Sequence, residues 1–275
     1  MLSKLPPQAA NPALLVGYET GDDAAVYKIN DEQAVVATTD FFMPIVDEPF
    51  DYGRIAATNA LSDVYAIGGK PILALAIAGF PMDKMSADQV QQILAGGTQA
   101  CADAGVPVAG GHTIDASEPI YGLAVVGLAH PKQIKRNDDA RDGDILILGK
   151  GLGIGILGAA MNKNELNRDG YREMVDSAVK LNSIGAELAG IPDVHGVTDV
   201  TGFGLVGHLL EICRGSRLCA NLHWDKLPIL PSAIDYAQRG YSTGAGARNW
   251  DSFGNDVTIK IELEDWQKNF LTDPQ

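Results

Sequence analysis

Positive charge is in short supply in this chain: 21 lysines and arginines face 35 aspartates and glutamates, for a net charge of −14. That excess works against nonspecific attraction to nucleic acid or to an anionic membrane surface. Cysteine is scarcer still, and Cys101, Cys213 and Cys219 show no CxxC spacing. Such a set builds neither a disulfide framework nor a thiolate zinc cluster. Reduced thiols in the cytoplasm are expected, each as a small buried apolar side chain. No stretch approaches the roughly 18 apolar residues of a membrane span. The longest run, Pro71 to Phe80, has the length of a buried strand. The start, Met1-Leu2-Ser3-Lys4-Leu5-Pro6-Pro7, lacks the continuous apolar core of a secretory signal. A Walker lysine is missing as well. In Gly149-Lys150-Gly151-Leu152-Gly153-Ile154-Gly155 the lysine precedes glycine rather than Ser or Thr, and the glycines miss the dinucleotide spacing. That segment reads as close strand–helix packing.

What is present fits a folded α/β protein. Of the 275 residues, 46% are hydrophobic and 20% charged, enough apolar surface for one large or two ordinary domains. Strands are predicted over 24–29 and 34–39, around a polar turn at Asn30-Asp31. A helix from Ile55 to Ile67 stops at Gly68-Gly69, and a strand follows over 72–77. Ser86 caps a helix running to about Ala104, with Gly105 as its stop. Two further strands lie at 106–109 and 121–127. The charged segment from His130 to Asp144 separates a first domain, residues 1–130, from a second, 131–275. Beyond it a strand is predicted at 144–148, helices at 171–189 and 205–213, and a strand at 257–261 with no terminal element after it.

Short acidic and glycine-rich patches sit where these elements end. In Gly21-Asp22-Asp23 a flexible glycine precedes two carboxylates, a turn able to offer N–H groups to phosphate while one Asp binds metal. Asp40 interrupts an apolar run, where it either serves a ligand or is a hydrogen-bonded structural acid. Asn59 and Asp63, at i and i+4, form one polar notch on an otherwise apolar helix. Gly110-Gly111-His112-Thr113 places bare backbone and a histidine at a strand end, open to a phosphate or sugar. Asp199 precedes Thr201-Gly202-Phe203-Gly204, where Thr201 or Gly202 is placed to cap the next helix. His208 and Glu211, at i and i+3, read as a helix-surface contact. Several carboxylates without an evident cationic partner repel one another, and a divalent metal carrying a polyphosphate, most simply Mg²⁺, relieves that repulsion.

In order and wording these patches resemble one family closely. Gly21-Asp22-Asp23-Ala24-Ala25-Val26-Tyr27, Thr38-Thr39-Asp40-Phe41-Phe42-Met43-Pro44 and Thr58-Asn59-Ala60-Leu61-Ser62-Asp63 are similar to segments of selenophosphate synthetase (selenide, water dikinase). Ala109-Gly110-Gly111-His112-Thr113-Ile114-Asp115 and Thr198-Asp199-Val200-Thr201-Gly202-Phe203-Gly204 continue the match. The resemblance implies the aminoimidazole ribonucleotide synthetase-like superfamily: a two-domain α/β fold and a homodimer with ATP sites at its interface. It implies conversion of ATP, selenide and water to selenophosphate, AMP and orthophosphate. Asp23, Asp63 and Asp199 would bind Mg²⁺. Thr20, Gly21, Asp22, Asp40 and Asp63 would line the ATP, with Gly111, His112 and Thr113 reaching across to the other subunit.

The family's catalytic Cys or selenocysteine and its nearby Lys have no counterpart here. Cys101, Cys213, Cys219 and Lys4 do not match those positions, and a Thr-Ser-Gly-Gly stretch would follow Gln275. A fragment with an incomplete second domain, inactive alone, is therefore expected; an upstream in-frame TGA read as a stop would explain its start. The alternatives are a thiamine-monophosphate kinase-like or hydrogenase-maturation enzyme of the superfamily, and a non-catalytic nucleotide-binding paralogue. Gly-Gly-His-Thr and Phe-Phe-Met-Pro point away from the first two.

Overall fold

The structure is a computed structural model that describes residues 11–17 and 21–275; Thr20 and Lys4 lie outside the described residues. The first half is a mixed six-stranded sheet in the order β1-β2-β3-β6-β4-β5. Its strands are β1 (Leu14–Val16), β2 (Ala25–Lys28), β3 (Ala34–Phe42), β4 (Lys70–Phe80), β5 (Val108–Asp115) and β6 (Ile120–Ala129). Two helices, α1 (Pro49–Ala66) and α2 (Ala87–Asp103), cover one face. Alternation along β3 sends Ala34 and Val36 into the core, where they meet the fully buried Leu61 and Val64 of α1.

The two helices approach until their backbones touch. A Cβ on Gly53 would lie 2.0 Å from the Ile93 carbonyl oxygen, and one on Gly96 would lie 2.0 Å from that of Phe50. Only glycine fits at either position. Ser86 and Gln89 cap α2 reciprocally, an arrangement worth about 1 kcal/mol.

The second half holds α3 (Ile154–Met161), α4 (Arg168–Ala178), α5 (Ile184–Leu188), α6 (Gly204–Ser216), α7 (Pro231–Gln238), α8 (Gly244–Phe253) and α9 (Asp265–Thr272). The strands expected at 144–148 and 257–261 do not form, and Leu152–Ile229 is an isolated bridge. Ile145 and Ile147 are 86% and 90% exposed. A strand requires a hydrogen-bonded neighbour, which apolar composition alone does not supply. The helix expected over 171–189 breaks into α4 and α5, and α9 supplies a terminal element that periodicity missed. The last residues tie the half together. Gln275 Oε1 accepts from Gly153 N at 2.9 Å, and Asp273 Oδ2 accepts from Ile156 N at 3.1 Å, satisfying the start of α3.

The glycine-rich stretch from Gly151 is close packing as expected, but against helices rather than a strand: a Cβ on Gly153 would lie 2.4 Å from the Ala233 methyl of α7. Cys101 is buried, Cys213 half-buried and Cys219 exposed, and all three are free. The expectation of three buried thiols fails at Cys219 because the left-handed Arg217 ends α6 and turns the chain into an open loop. Among the described residues no helix is long and apolar enough to cross a membrane.

Candidate functional site

The acidic residues come together where the first half meets residues 198–211 of the second. Asn59 Nδ2 donates to Asp40 Oδ2, and the Thr38 hydroxyl donates to Asp63 Oδ2 at 2.5 Å. The polar notch on α1 therefore faces β3. Thr198 Oγ1 donates to Asp23 Oδ1 at 3.1 Å, and Ser62 hydrogen-bonds Asp199. Asp23, Asp40, Asp63 and Asp199 are all half-buried.

Desolvation raises each of these acids first. Asp63 is pushed up to about 8, by burial and then by the charges of Asp199 and Asp40. Asp23 stands well above its ordinary value through burial, Asp199 and Asp63. Asp199 is raised by burial against the opposing pull of Ser62, His208 and Lys150, and Asp40 by burial, with Asp199 adding. One oxygen of Asp23 and one of Asp199 are sealed from solvent with no hydrogen-bond partner. Buried carboxylates crowded in this way are costly without a compensating cation. Among the described residues no three His, Cys, Asp or Glu side chains close into a ready metal cage. Hard oxygen donors with two orphaned atoms nevertheless match the chemistry of Mg²⁺.

Three neighbours were hidden from sequence reading. His208 is 7% exposed. Its Nδ1 lies 3.2 Å from Glu211 Oε2 and its Nε2 3.2 Å from Thr201 Oγ1. Far from being a surface contact, His208 lowers the pKa of Asp199 and Glu211 raises that of Asp23. Spacing within α6 gives no hint of this, because Thr201 and Asp199 lie just before the helix and Asp23 lies in the first half. Thr201 makes no cap; α6 begins after Phe203 without a side-chain cap bond. The third neighbour is Lys150, whose charge also acts on Asp199.

Gly21 stays beside the cluster, a Cβ there lying 3.9 Å from Glu211 Oε1, while Asn137 holds its turn. Asp22 Oδ1 accepts from Asn137 N at 2.7 Å and the Gly21 carbonyl from Asn137 Nδ2 at 3.1 Å, tying their turn to the segment between the halves.

The Gly-Gly-His-Thr patch is not at a strand end. It lies inside β5, at the sheet edge, with every residue from Ala109 to Asp115 exposed. Gly111 has φ +154°, and a Cβ there would meet the Ala76 carbonyl oxygen at 2.1 Å. Strand β4 is what approaches this glycine closely on the side where a Cβ would stand. Asp40 pairs with Leu123, Leu123 with Ala76, and Ala76 with Gly111. Gly111 thus shares a row with Asp40 but stands three strand spacings away, roughly 14 Å. His112, Gly111 and Thr113 do not join the carboxylates of their own chain.

Residues 21–129 match the N-terminal domain of AIR synthase related proteins, and residues 141–243 match the C-terminal domain. Fold and matched stretches define an AIR synthase-related protein of two domains. Solved structures agree in fold. Thiamine-monophosphate kinase from Stenotrophomonas maltophilia K279a superposes at TM-score 0.66 over 95% of this chain and 77% of its own, at 20% identity. Hydrogenase maturation protein HypE in complex with ATP gives 0.64 over 83% and 68%, at 22% identity.

Within that class the chain belongs to the selenide, water dikinase family. It is 58% identical over 275 residues to the selenide, water dikinase of Burkholderia orbicola (strain MC0-3), covering 100% of this chain and 78% of the relative. Against that of Pseudomonas straminea the figures are 60% over 273 residues, 99% and 76%.

Proposed function

We propose that this chain carries the ATP-handling core of a selenide, water dikinase, converting ATP, selenide and water to selenophosphate, AMP and orthophosphate. The observation that carries the reading is the convergence of Asp23, Asp63 and Asp199, from three distant segments, with unpartnered buried oxygens on two of them. In this reading the three carboxylates hold Mg²⁺, which neutralises phosphate charge. Asp40, with Gly21, Asp22 and Thr20, lines the nucleotide, and Asn59 fixes the Asp40 carboxylate through its amide. ATP as ligand agrees with the ATP complex of HypE, a protein of the same fold. We place the domain boundary at 130/131, and the setting in the cytoplasm.

The same proposal includes a homodimer. The uncovered sheet face carries Tyr27 at 43%, Phe41 at 47% and Leu75 at 39% exposure, an apolar surface of the kind that marks an interface. A second copy seated there would let Gly111, His112 and Thr113 serve the partner's site, which their distance from Asp40 in the same chain favours.

The test is selenide-dependent AMP formation by the full-length protein containing this chain, followed with ³¹P NMR for selenophosphate. Formation of both products with Mg²⁺, and neither without selenide, is expected. Selenide-independent turnover would instead favour a thiamine-monophosphate kinase-like enzyme, and nucleotide binding without turnover a non-catalytic paralogue.

A further inference from the structure

Lys150 lies in a glycine-rich segment that its motif grammar leaves without a function, yet the fold carries it to the acidic cluster. Its Nζ donates to the Lys180 carbonyl oxygen. That carbonyl belongs to a short stretch laid along α1: Thr58 Oγ1 bonds the Val179 carbonyl at 3.5 Å, and Asn182 Nδ2 donates to Ser62 Oγ at 2.8 Å. Ser62 in turn hydrogen-bonds Asp199. The backbone that anchors the ammonium is therefore held, within two residues, to the same helix α1 whose Ser62 reaches Asp199. The charges of Lys150 and Asp199 act on one another in both directions.

An ammonium has three N–H donors, and the Lys180 carbonyl takes one. Burial and the neighbouring Lys180 charge lower the Lys150 pKa to about 8, which Asp199 opposes. The side chain is half-buried, so a bound anion would meet a partly dehydrated cation, the condition in which charge-assisted hydrogen bonds are strong.

We infer that Lys150 contacts the terminal phosphates of the bound nucleotide, supplying from the second half of the chain the cation that the absent Walker lysine would have provided from a loop. The inference rests on the ATP reading above. A purely structural role, in which Lys150 only balances Asp199, makes a different forecast: phosphate number would not matter.

Calorimetric titration of the full chain separates these. Wild type, Lys150→Met and Lys150→Arg are titrated, with Mg²⁺ present, with a non-hydrolysable ATP analogue and with AMP. Lys150→Met should lose about 10- to 100-fold in affinity for the triphosphate while AMP binding holds. Lys150→Arg should recover most of the loss. Equal weakening of both ligands, or no change in either, overturns the assignment. If Lys150→Met does not fold, as judged by its melting curve, Lys150→Gln repeats the measurement with the same expected and overturning results. Wild type that binds neither nucleotide overturns the ATP reading itself, whereas wild-type binding with an indifferent Lys150→Met overturns the role of Lys150 alone.

Discussion

The Thr38 hydroxyl donates to Asp63 at 2.5 Å, joining strand β3 to helix α1 at the mouth of the acidic cluster. It is the one bond that lowers the pKa of Asp63 against burial and two neighbouring carboxylates. Removing it as Thr38→Val should disfavour the ionised acid by about 1.5–3 kcal/mol. Isothermal titration at pH 7.5 should show Mg²⁺–nucleotide binding weakened by about an order of magnitude. Unchanged affinity would mean that Asp63 does not bind the metal as carboxylate.

The raised acids also set a pH dependence. Asp63 keeps its proton up to about pH 8 when folded, whereas in an unfolded chain it ionises near pH 4. Between those limits the folded state binds more protons, so this group makes metal-free stability fall as pH rises. Asp23 and Asp199 are shifted in the same direction. Urea midpoints in EDTA should drop from pH 5 to pH 8, and Asp63→Asn should flatten that slope. Equal slopes in wild type and variant would refute the assignment.

Gly111→Ala places a methyl against the Ala76 backbone and should destabilise the protein by about 2–4 kcal/mol in denaturant unfolding. Gly105→Ala is the control. Gly105 also has positive φ, but open space surrounds its would-be Cβ, so its cost should stay near 1–2 kcal/mol. Similar losses at both sites would show that backbone angle, rather than contact with β4, fixes Gly111.

Asn137 bonds both Gly21 and Asp22. Because the Asp22 bond uses the main-chain N–H, Asn137→Ala removes only the amide that reaches Gly21. Hydrogen exchange should accelerate over residues 21–24 while the centre of β6 stays protected. Uniform acceleration would point to global unfolding instead.

Phe41→Lys on the bare sheet face should shift sedimentation from dimer towards monomer with little loss of thermal stability. A wild-type chain that sediments as a monomer at micromolar concentration would remove the dimer from the proposal.

Much of the first half was legible because its signals are local. Ser86 and Gly105 mark α2 by capping chemistry, and β3 alternates cleanly from Ala34. The i, i+4 notch of Asn59 and Asp63 was readable too, since helix geometry alone puts both on one face. The start of α1 was not. Its opening stretch, Pro49 to Arg54, owes its place to Pro at N1 and to packing against α2 rather than to an apolar period. Gly111 shows the opposite failure: its glycine was noticed, but the reason for it lies on β4, thirty-five positions away by pairing with Ala76. Glu211 and Lys150 stayed silent for the same reason, acting on Asp23 and Asp199 across long stretches of chain. His208 is close in sequence to Thr201 and Asp199, but only the turn into α6 brings its ring back to them. In the second half, Ile145 to Leu148 had strand composition and no strand partner, so composition misled.

The hydrogen bond from Thr198 to Asp23 spans a sequence separation of 175 residues, and it orders events in time. A ribosome releases the first half, sheet and both covering helices, long before Thr198 emerges, and contacts of such long range form late. Asp40 and Asp63 already act on one another within the first half; the share that Asp199 and Glu211 add to Asp23 arrives only when the two halves dock, and nascent chains should bind nucleotide only after that step.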